Sequence, residues 1–161
     1  MDWQIPLLVS AIVFAVYVAY RFRPAFGEDG RATAAALEEA RKRIEAAKDD
    51  GAKARALADA ADACARLRRT NSAVGFYLRA LRADPGAAEI VERAAAALAR
   101  RPIALEKLMW RHLGFASFAG DGRDAALASL RVLAEVYHRR PRTEFRARAV
   151  EHLLEALEPK A

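Results

Sequence analysis

The chain has 161 residues, of which 54% are hydrophobic and 30% charged, and its formal net charge is +6. This length leaves room for one domain with its own hydrophobic core. The single cysteine, Cys64, excludes an intramolecular disulfide.

The chain opens on an uncharged run of eighteen residues, Trp3 to Tyr20. As a helix this run would rise about 27 Å, close to the ~30 Å hydrocarbon thickness of a bilayer. Its terminal aromatic rings, Trp3 and Tyr20, are of the kind that favours a membrane interface. The run therefore predicts a transmembrane anchor over 1–23, in which Ala11, Ala15 and Ala19 follow one another at intervals of four and could seat another helix.

Two other readings of the run are weaker. A cleaved signal peptide needs a basic segment before the apolar run and a small-residue cleavage site after it, and neither is present. A buried core helix would usually show polar residues on one face, and this run has no such face.

The charges that flank the run predict its orientation. Arg21 and Arg23 follow it, whereas Asp2 is the only charged side chain before it. Because positive residues stay on the cytoplasmic side, we expect the N-terminus outside the inner membrane and the rest in the cytoplasm. The opposite arrangement, with a periplasmic domain, stays open. The basic charge after the run also suggests contact with anionic membrane lipid.

Residues 24–30 read as a linker because they contain proline and two glycines, and residues 31–161 form the predicted domain. The domain shows helical periodicity almost throughout, with helix stops and caps as separators. The fold class is therefore all-α, and very short turns make consecutive helices antiparallel neighbours. The seven predicted segments are 31–49, 52–69, 71–83, 87–100, 103–118, 122–139 and 143–157.

The stretch 54–85 contains an ordered series of alanine, aromatic, alanine and proline at Ala73, Tyr77, Ala80 and Pro85. Small residues let two helix backbones approach, the aromatic ring fills the space between helices, and proline ends the helix. This series resembles the second half of a tetratricopeptide repeat. The resemblance implies a solenoid of antiparallel helical hairpins that binds other proteins.

A second match covers 107–139. Trp110, Leu113 and Gly114 have the spacing that opens the same repeat, and Ala126 follows at the alanine position of the next helix. The two matches begin 53 residues apart, which is not a multiple of the ~34-residue repeat, so an extra helix near 87–100 must intervene. A generic helical bundle remains the alternative, and 143–157 would be a capping helix.

No catalytic constellation emerges from the sequence, so we expect no enzyme, cofactor or metal site. His112, His138 and His152 are on three different segments and have no partner at ligand spacing, so each reads as a surface or half-buried helical residue. Cys64 reads as a small core residue. The glycine pair at 120 and 122 follows no strand, so it does not form a phosphate-binding loop.

Several basic residues are candidates for binding a partner. The family resemblance places a groove along the first helix of each repeat, where Arg66, Lys107 and Arg111 could anchor carboxylates. Near the end of another helix lie Arg139, Arg140 and Arg142, which either oppose the helix dipole or bind an acidic segment or lipid headgroups. Nucleic acid is not an expected partner, since no aromatic residues interleave with the arginines.

These features predict a single-pass, membrane-anchored adaptor or scaffold that binds a protein partner within a larger assembly. Two alternatives have the same fold. One is an accessory subunit of an integral membrane enzyme or transport complex, and the other is a chaperone-like factor on the non-cytoplasmic side.

Overall fold

The computed structural model describes residues 3–26 and 28–158, and for residues 4, 5, 19–26 and 28 it describes the backbone only. These ranges hold eight α-helices, one 3₁₀ turn at Gly120–Gly122 and no strand. The prediction of an all-α chain is confirmed for them. The helices are α1 Gln4–Phe26, α2 Glu28–Ala46, α3 Asp50–Arg66, α4 Thr70–Ala83, α5 Ala88–Leu98, α6 Pro102–Leu113, α7 Arg123–His138 and α8 Glu144–Leu157.

Helix α1 corrects the expectation of a membrane anchor. Its uncharged part begins at Gln4 and ends before Arg21, so Trp3 lies outside the helix. Across the described ranges, no helix combines the length and the apolar character that a membrane crossing needs. The predictions of a transmembrane helix at 1–23, of a single-pass location in the inner membrane and of its orientation are therefore wrong.

The residues predicted to belong to that anchor lie as follows. Trp3 precedes α1 and is exposed, and Ala11 and Ala15 are exposed on it. The side chains of Ala19 and Tyr20 lie outside the described residues. The linker predicted at 24–30 coincides with the end of α1 and the beginning of α2, except for residue 27, which the structure does not describe.

Local chemistry explains where several helices begin and end. Asp49 caps α3 by accepting a hydrogen bond from the backbone N–H of Ala52 at 2.6 Å. Pro102 is the first residue of α6, a position at which its missing N–H costs nothing. At the end of α3, Arg68 has φ 59°, and the N–H of Arg69 reaches the carbonyl of Cys64 at 2.8 Å, as in a Schellman motif.

From α2 to α8, each helix packs against the next one in the chain. Alternate helices are also neighbours, since α3 contacts α5, α5 contacts α7, and α4 contacts α6. The described chain therefore stacks its hairpins in two layers, with α3, α5 and α7 in one layer and α4 and α6 in the other. Helix α1 contacts α2.

The core is built from many alanines and a few large side chains. Ala73 and Ala80 are fully buried on α4, and Ala126 is fully buried on α7. Tyr77 and Tyr137 are the largest of the fully buried side chains. Alanine side chains are small, so they let the helices pack closely. A single tyrosine between two such helices therefore fills a large share of the remaining space.

The two layers show how the two repeat matches are related to one another. The first match makes α4 the second helix of a repeat, whereas the second match makes α6 a first helix. The structure places α4 and α6 in the same layer. The two matches are therefore out of phase with one another, and the extra helix between them is α5.

Candidate partner-binding site

The cations predicted to bind a partner fall in three separate places. Lys107 and Arg111 lie together between α4 and α6. Arg66 lies in a different groove, between α3 and α5. Arg139, Arg140 and Arg142 lie at the end of α7 and in the turn that follows it. Arg66 was predicted to share one groove with Lys107 and Arg111, but in the structure it lines a different groove.

The groove between α4 and α6 has a volume of about 560 Å³, and we call it the basic groove. Helix α4 contributes polar, aliphatic and glycine residues to it, and α6 contributes aliphatic and basic ones. No carboxylate and no aromatic side chain is among its lining residues, which are Asn71, Val74, Gly75, Arg101, Pro102, Ile103, Ala104, Lys107 and Arg111.

The positions of these side chains follow from the helical repeat. Lys107 and Arg111 are four residues apart and therefore share one face of α6. The opposite face carries Leu105, Leu108 and Met109, which are buried in the core. Burial of that apolar face fixes the rotation of α6, so both cations are directed away from the core.

The cations of the basic groove are not neutralised by carboxylates of the described chain. Lys107 and Arg111 are exposed, and neither forms an ion pair with any described residue. Arg101 donates a hydrogen bond to the Thr70 hydroxyl, which is a neutral partner. The groove thus presents three positive charges that are available to an anionic ligand.

The wall that α4 contributes to the basic groove is open at Gly75. A Cβ atom built at this position would meet no atom within 4 Å. On the other wall, Ile103 is 72% exposed although it is a large apolar residue. The groove therefore combines positive charge with an uncovered aliphatic surface.

The cations at the end of α7 are differently placed, because most of them already have acidic partners. Glu106 accepts from Arg140 at 2.5 Å, from Arg146 at 3.3 Å and from the Tyr137 hydroxyl at 2.9 Å. Arg139 pairs with Glu135 at 3.1 Å. Arg142 is exposed in the turn, where its φ is 63°.

The groove that contains Arg66 is also partly neutralised. Asp62 lines it and accepts a hydrogen bond from Arg93 at 2.6 Å, and Asp59 accepts another at 2.8 Å. Burial by itself would lower the pKa of Arg93, but the two carboxylates outweigh it and raise that pKa. Burial, with the hydrogen bond to Asp62, raises the pKa of Tyr77. These groups connect α3, α4 and α5.

One buried polar residue, His112, was assigned by sequence to the surface or half-buried class, and it is fully buried. Its Nδ1 lies 2.8 Å from the Ser129 hydroxyl, and its Nε2 has no hydrogen-bond partner among the described residues. The ring packs edge-on against Phe115. Burial lowers the pKa of His112 to about 4, so the ring is neutral at pH 7. Its place on the same helix face as Leu108 and Met109, four and three residues before it, was the available sequence signal.

The remaining residues of the second repeat match lie on α6 and at its end. Trp110 is 46% exposed, and its Nε1 donates to the Tyr137 hydroxyl at 2.8 Å. Leu113 is half-buried, and Gly114 is the C-cap of α6. Pro85 of the first match lies in the turn after α4 and is exposed.

An apolar surface lies between α6 and α8. Two cavities of about 280 Å³ and 260 Å³ share Trp110 and Leu153 as lining residues. Phe145 lines the second cavity and is 85% exposed. A further apolar surface is α1, whose side chains from 6 to 17 are exposed.

Within the described ranges there is no group of three or more His, Cys, Asp or Glu side chains that could hold a metal ion. Cys64 is buried, and burial raises the pKa of its thiol. No protein-family model matches the chain, and neither the curated proteins nor the solved structures include a match.

Proposed function

We propose that this chain is an adaptor or scaffold that binds a protein partner through the basic groove and catalyses no reaction itself. The observation that supports the proposal is the basic groove, with three cations and no carboxylate among its lining residues. Side chains with like charge repel one another, so their accumulation around an open aliphatic groove is unfavourable without an anionic ligand.

The stack of hairpins supports the same proposal. Stacked helical hairpins expose long surfaces between neighbouring helices, and such surfaces suit the binding of a polypeptide segment. A tetratricopeptide-like mode of packing remains part of this proposal, in the phase given by the first match, at Ala73, Tyr77 and Ala80. Binding would be strongest where a few side chains become fully desolvated.

Co-purification of the full chain from the cells that contain it tests this function. The groove variant is Lys107→Glu/Arg111→Glu. The control variant, Arg139→Glu/Arg142→Glu, makes the same change in charge outside the groove. We expect one protein to co-purify in a fixed stoichiometry with the wild type and the control, and to be lost with the groove variant. Equal recovery with all three chains, or no stoichiometric partner at all, would contradict the proposal.

A further inference from the structure

The spacing of the cations in the basic groove indicates the kind of ligand that fits it. Lys107 and Arg111 are one helical turn apart, about 6 Å along the axis of α6. Side chains on the same face of an extended peptide repeat every ~6.6 Å. Two carboxylates at alternate positions of an extended segment would therefore meet both cations.

The opposite wall indicates what lies between those carboxylates. In an extended segment, the residue between two carboxylates points to the other side. In the basic groove that side is α4, where Val74 and the open position at Gly75 lie. Because a Cβ atom at Gly75 would meet nothing within 4 Å, this part of the groove is open to an apolar side chain.

The composition of the groove argues against a nucleic acid ligand. Proteins that bind single strands usually stack bases on aromatic side chains. None of the residues that line the basic groove is aromatic. Charge complementarity together with an aliphatic wall favours an acidic polypeptide.

We infer that the basic groove binds an extended acidic segment of the partner protein, with carboxylates directed to Lys107 and Arg111 and an intervening apolar side chain seated at Gly75. This inference rests on the proposed function, because it specifies the chemistry of the partner at the same groove. Arg101, at the start of α6, provides a third positive charge for a further carboxylate or for the peptide carbonyls.

The probe that tests this inference is a fluorescein-labelled peptide with the central sequence Asp-Leu-Asp between Gly-Ser flanks. Its binding to the full chain is measured by fluorescence anisotropy at low salt. We expect the affinity to fall at least about tenfold when both Asp residues are replaced by Asn, and by a similar factor when the central Leu is replaced by Ser. If the Asn peptide binds as tightly as the Asp-Leu-Asp peptide, the ligand does not need carboxylates. If the Ser peptide binds as tightly, the ligand does not need an apolar residue between them.

Position 75 provides a matched pair of protein variants. Gly75→Leu fills the space that the apolar side chain would occupy, whereas Gly75→Ala adds a single methyl group. Both changes replace glycine within a helix, so both chains are expected to fold, and thermal unfolding followed by circular dichroism verifies this. We expect Gly75→Leu to weaken binding of the probe at least about tenfold and Gly75→Ala to retain most of it. Unchanged binding by a folded Gly75→Leu chain would overturn the seating at Gly75.

Three further results test this inference and distinguish it from the proposed function. A single-stranded oligonucleotide of the same net charge that displaces the peptide at equal concentration would overturn the polypeptide assignment. Suppose that recovery of a stoichiometric partner depends on Lys107 and Arg111, but the peptide measurements do not give the expected differences. The adaptor function then stands, and the inference that the ligand is an acidic segment is wrong. If the peptides bind with the expected differences and no partner is recovered, the inferred preference for an acidic segment stands and the proposed function is contradicted.

Discussion

His112 is the residue whose environment differs most from the sequence-based expectation. It is buried beside Ser129, and its pKa is lowered to about 4. In the unfolded chain the same ring would take up a proton near pH 6.5. The unfolded state therefore binds the proton first as pH falls, and the contribution of this group to stability is complete above pH 6.5 and lost between about 6.5 and 4.

We expect this titration to remove on the order of 3 kcal/mol from the free energy of unfolding between pH 7 and pH 4. The variant His112→Gln cannot titrate, yet it keeps a side-chain group that can bond the Ser129 hydroxyl. Urea unfolding at both pH values should show a much smaller loss for this variant than for the wild type.

The matched control is His152→Gln, because His152 is exposed on α8. Its unfolding should depend on pH as that of the wild type does. A loss of stability of the same size in His112→Gln would show that other groups cause the pH dependence.

Arg68 occupies a backbone conformation that favours glycine. Its φ of 59° is in the left-handed region, where a Cβ atom is unfavourable by about 1 kcal/mol. We therefore expect Arg68→Gly to raise the free energy of unfolding by about that amount, measured from the urea midpoint at an unchanged slope.

The substitution Arg68→Ala is the control for this prediction. It removes the same positive charge but keeps a Cβ atom at φ 59°, so it should give no gain. An equal rise for both variants would point to removal of positive charge as the cause rather than to relief of backbone strain.

At the scale of the helices, one network of polar groups connects α3, α4 and α5. Asp62 of α3 accepts hydrogen bonds from Arg93 of α5 and from Tyr77 of α4. Because Tyr77 is fully buried, removal of its acceptor leaves a hydroxyl without its partner. We expect Asp62→Ala to lower the free energy of unfolding by about 2 to 3 kcal/mol in urea titrations.

An exposed ion pair gives the comparison for that network. Glu135 and Arg139 pair on α7 with most of both side chains in solvent. Glu135→Ala should cost at most about 0.5 kcal/mol. Similar losses for Asp62→Ala and Glu135→Ala would mean that the network contributes no more than a surface pair.

The sequence predicted the helices after the apolar run well, because their stops are local. Pro102 begins α6 and Asp49 caps α3, and both effects act within a few residues. The periodicity of buried alanines also indicates which faces pack. The apolar run was read wrongly as a membrane helix, since no helix in the described ranges combines the length and the apolar character that a membrane crossing needs.

The candidate site was only partly predictable. Lys107 and Arg111 were identified because the family resemblance places a groove along the first helix of each repeat. Arg101 and Gly75 were missed, since the meeting of α4 and α6 depends on packing between segments far apart in the chain. The pairing of Glu106 with Arg140 and Arg146 depends on the same long-range packing, so sequence could not show which cations remain available.

For the whole molecule, the distribution of charge matters more for partner binding than the net charge of +6 does. Ion pairs neutralise Arg93, Arg139 and Arg140 within the described chain, whereas three cations of the basic groove face no carboxylate. The stack of hairpins thus presents a basic surface at one defined place. We propose that the basic groove binds an acidic segment of another protein.

A charge-swap experiment tests that claim most directly. The Asp-Leu-Asp peptide and a matching Lys-Leu-Lys peptide are each titrated against the full wild-type chain and the Lys107→Glu/Arg111→Glu chain. We expect the wild type to prefer the acidic peptide and the variant to prefer the basic one, since specificity at the basic groove comes from complementary charge. If the folded variant still prefers the acidic peptide, or the wild type binds both peptides equally, the basic groove is not the binding site we describe.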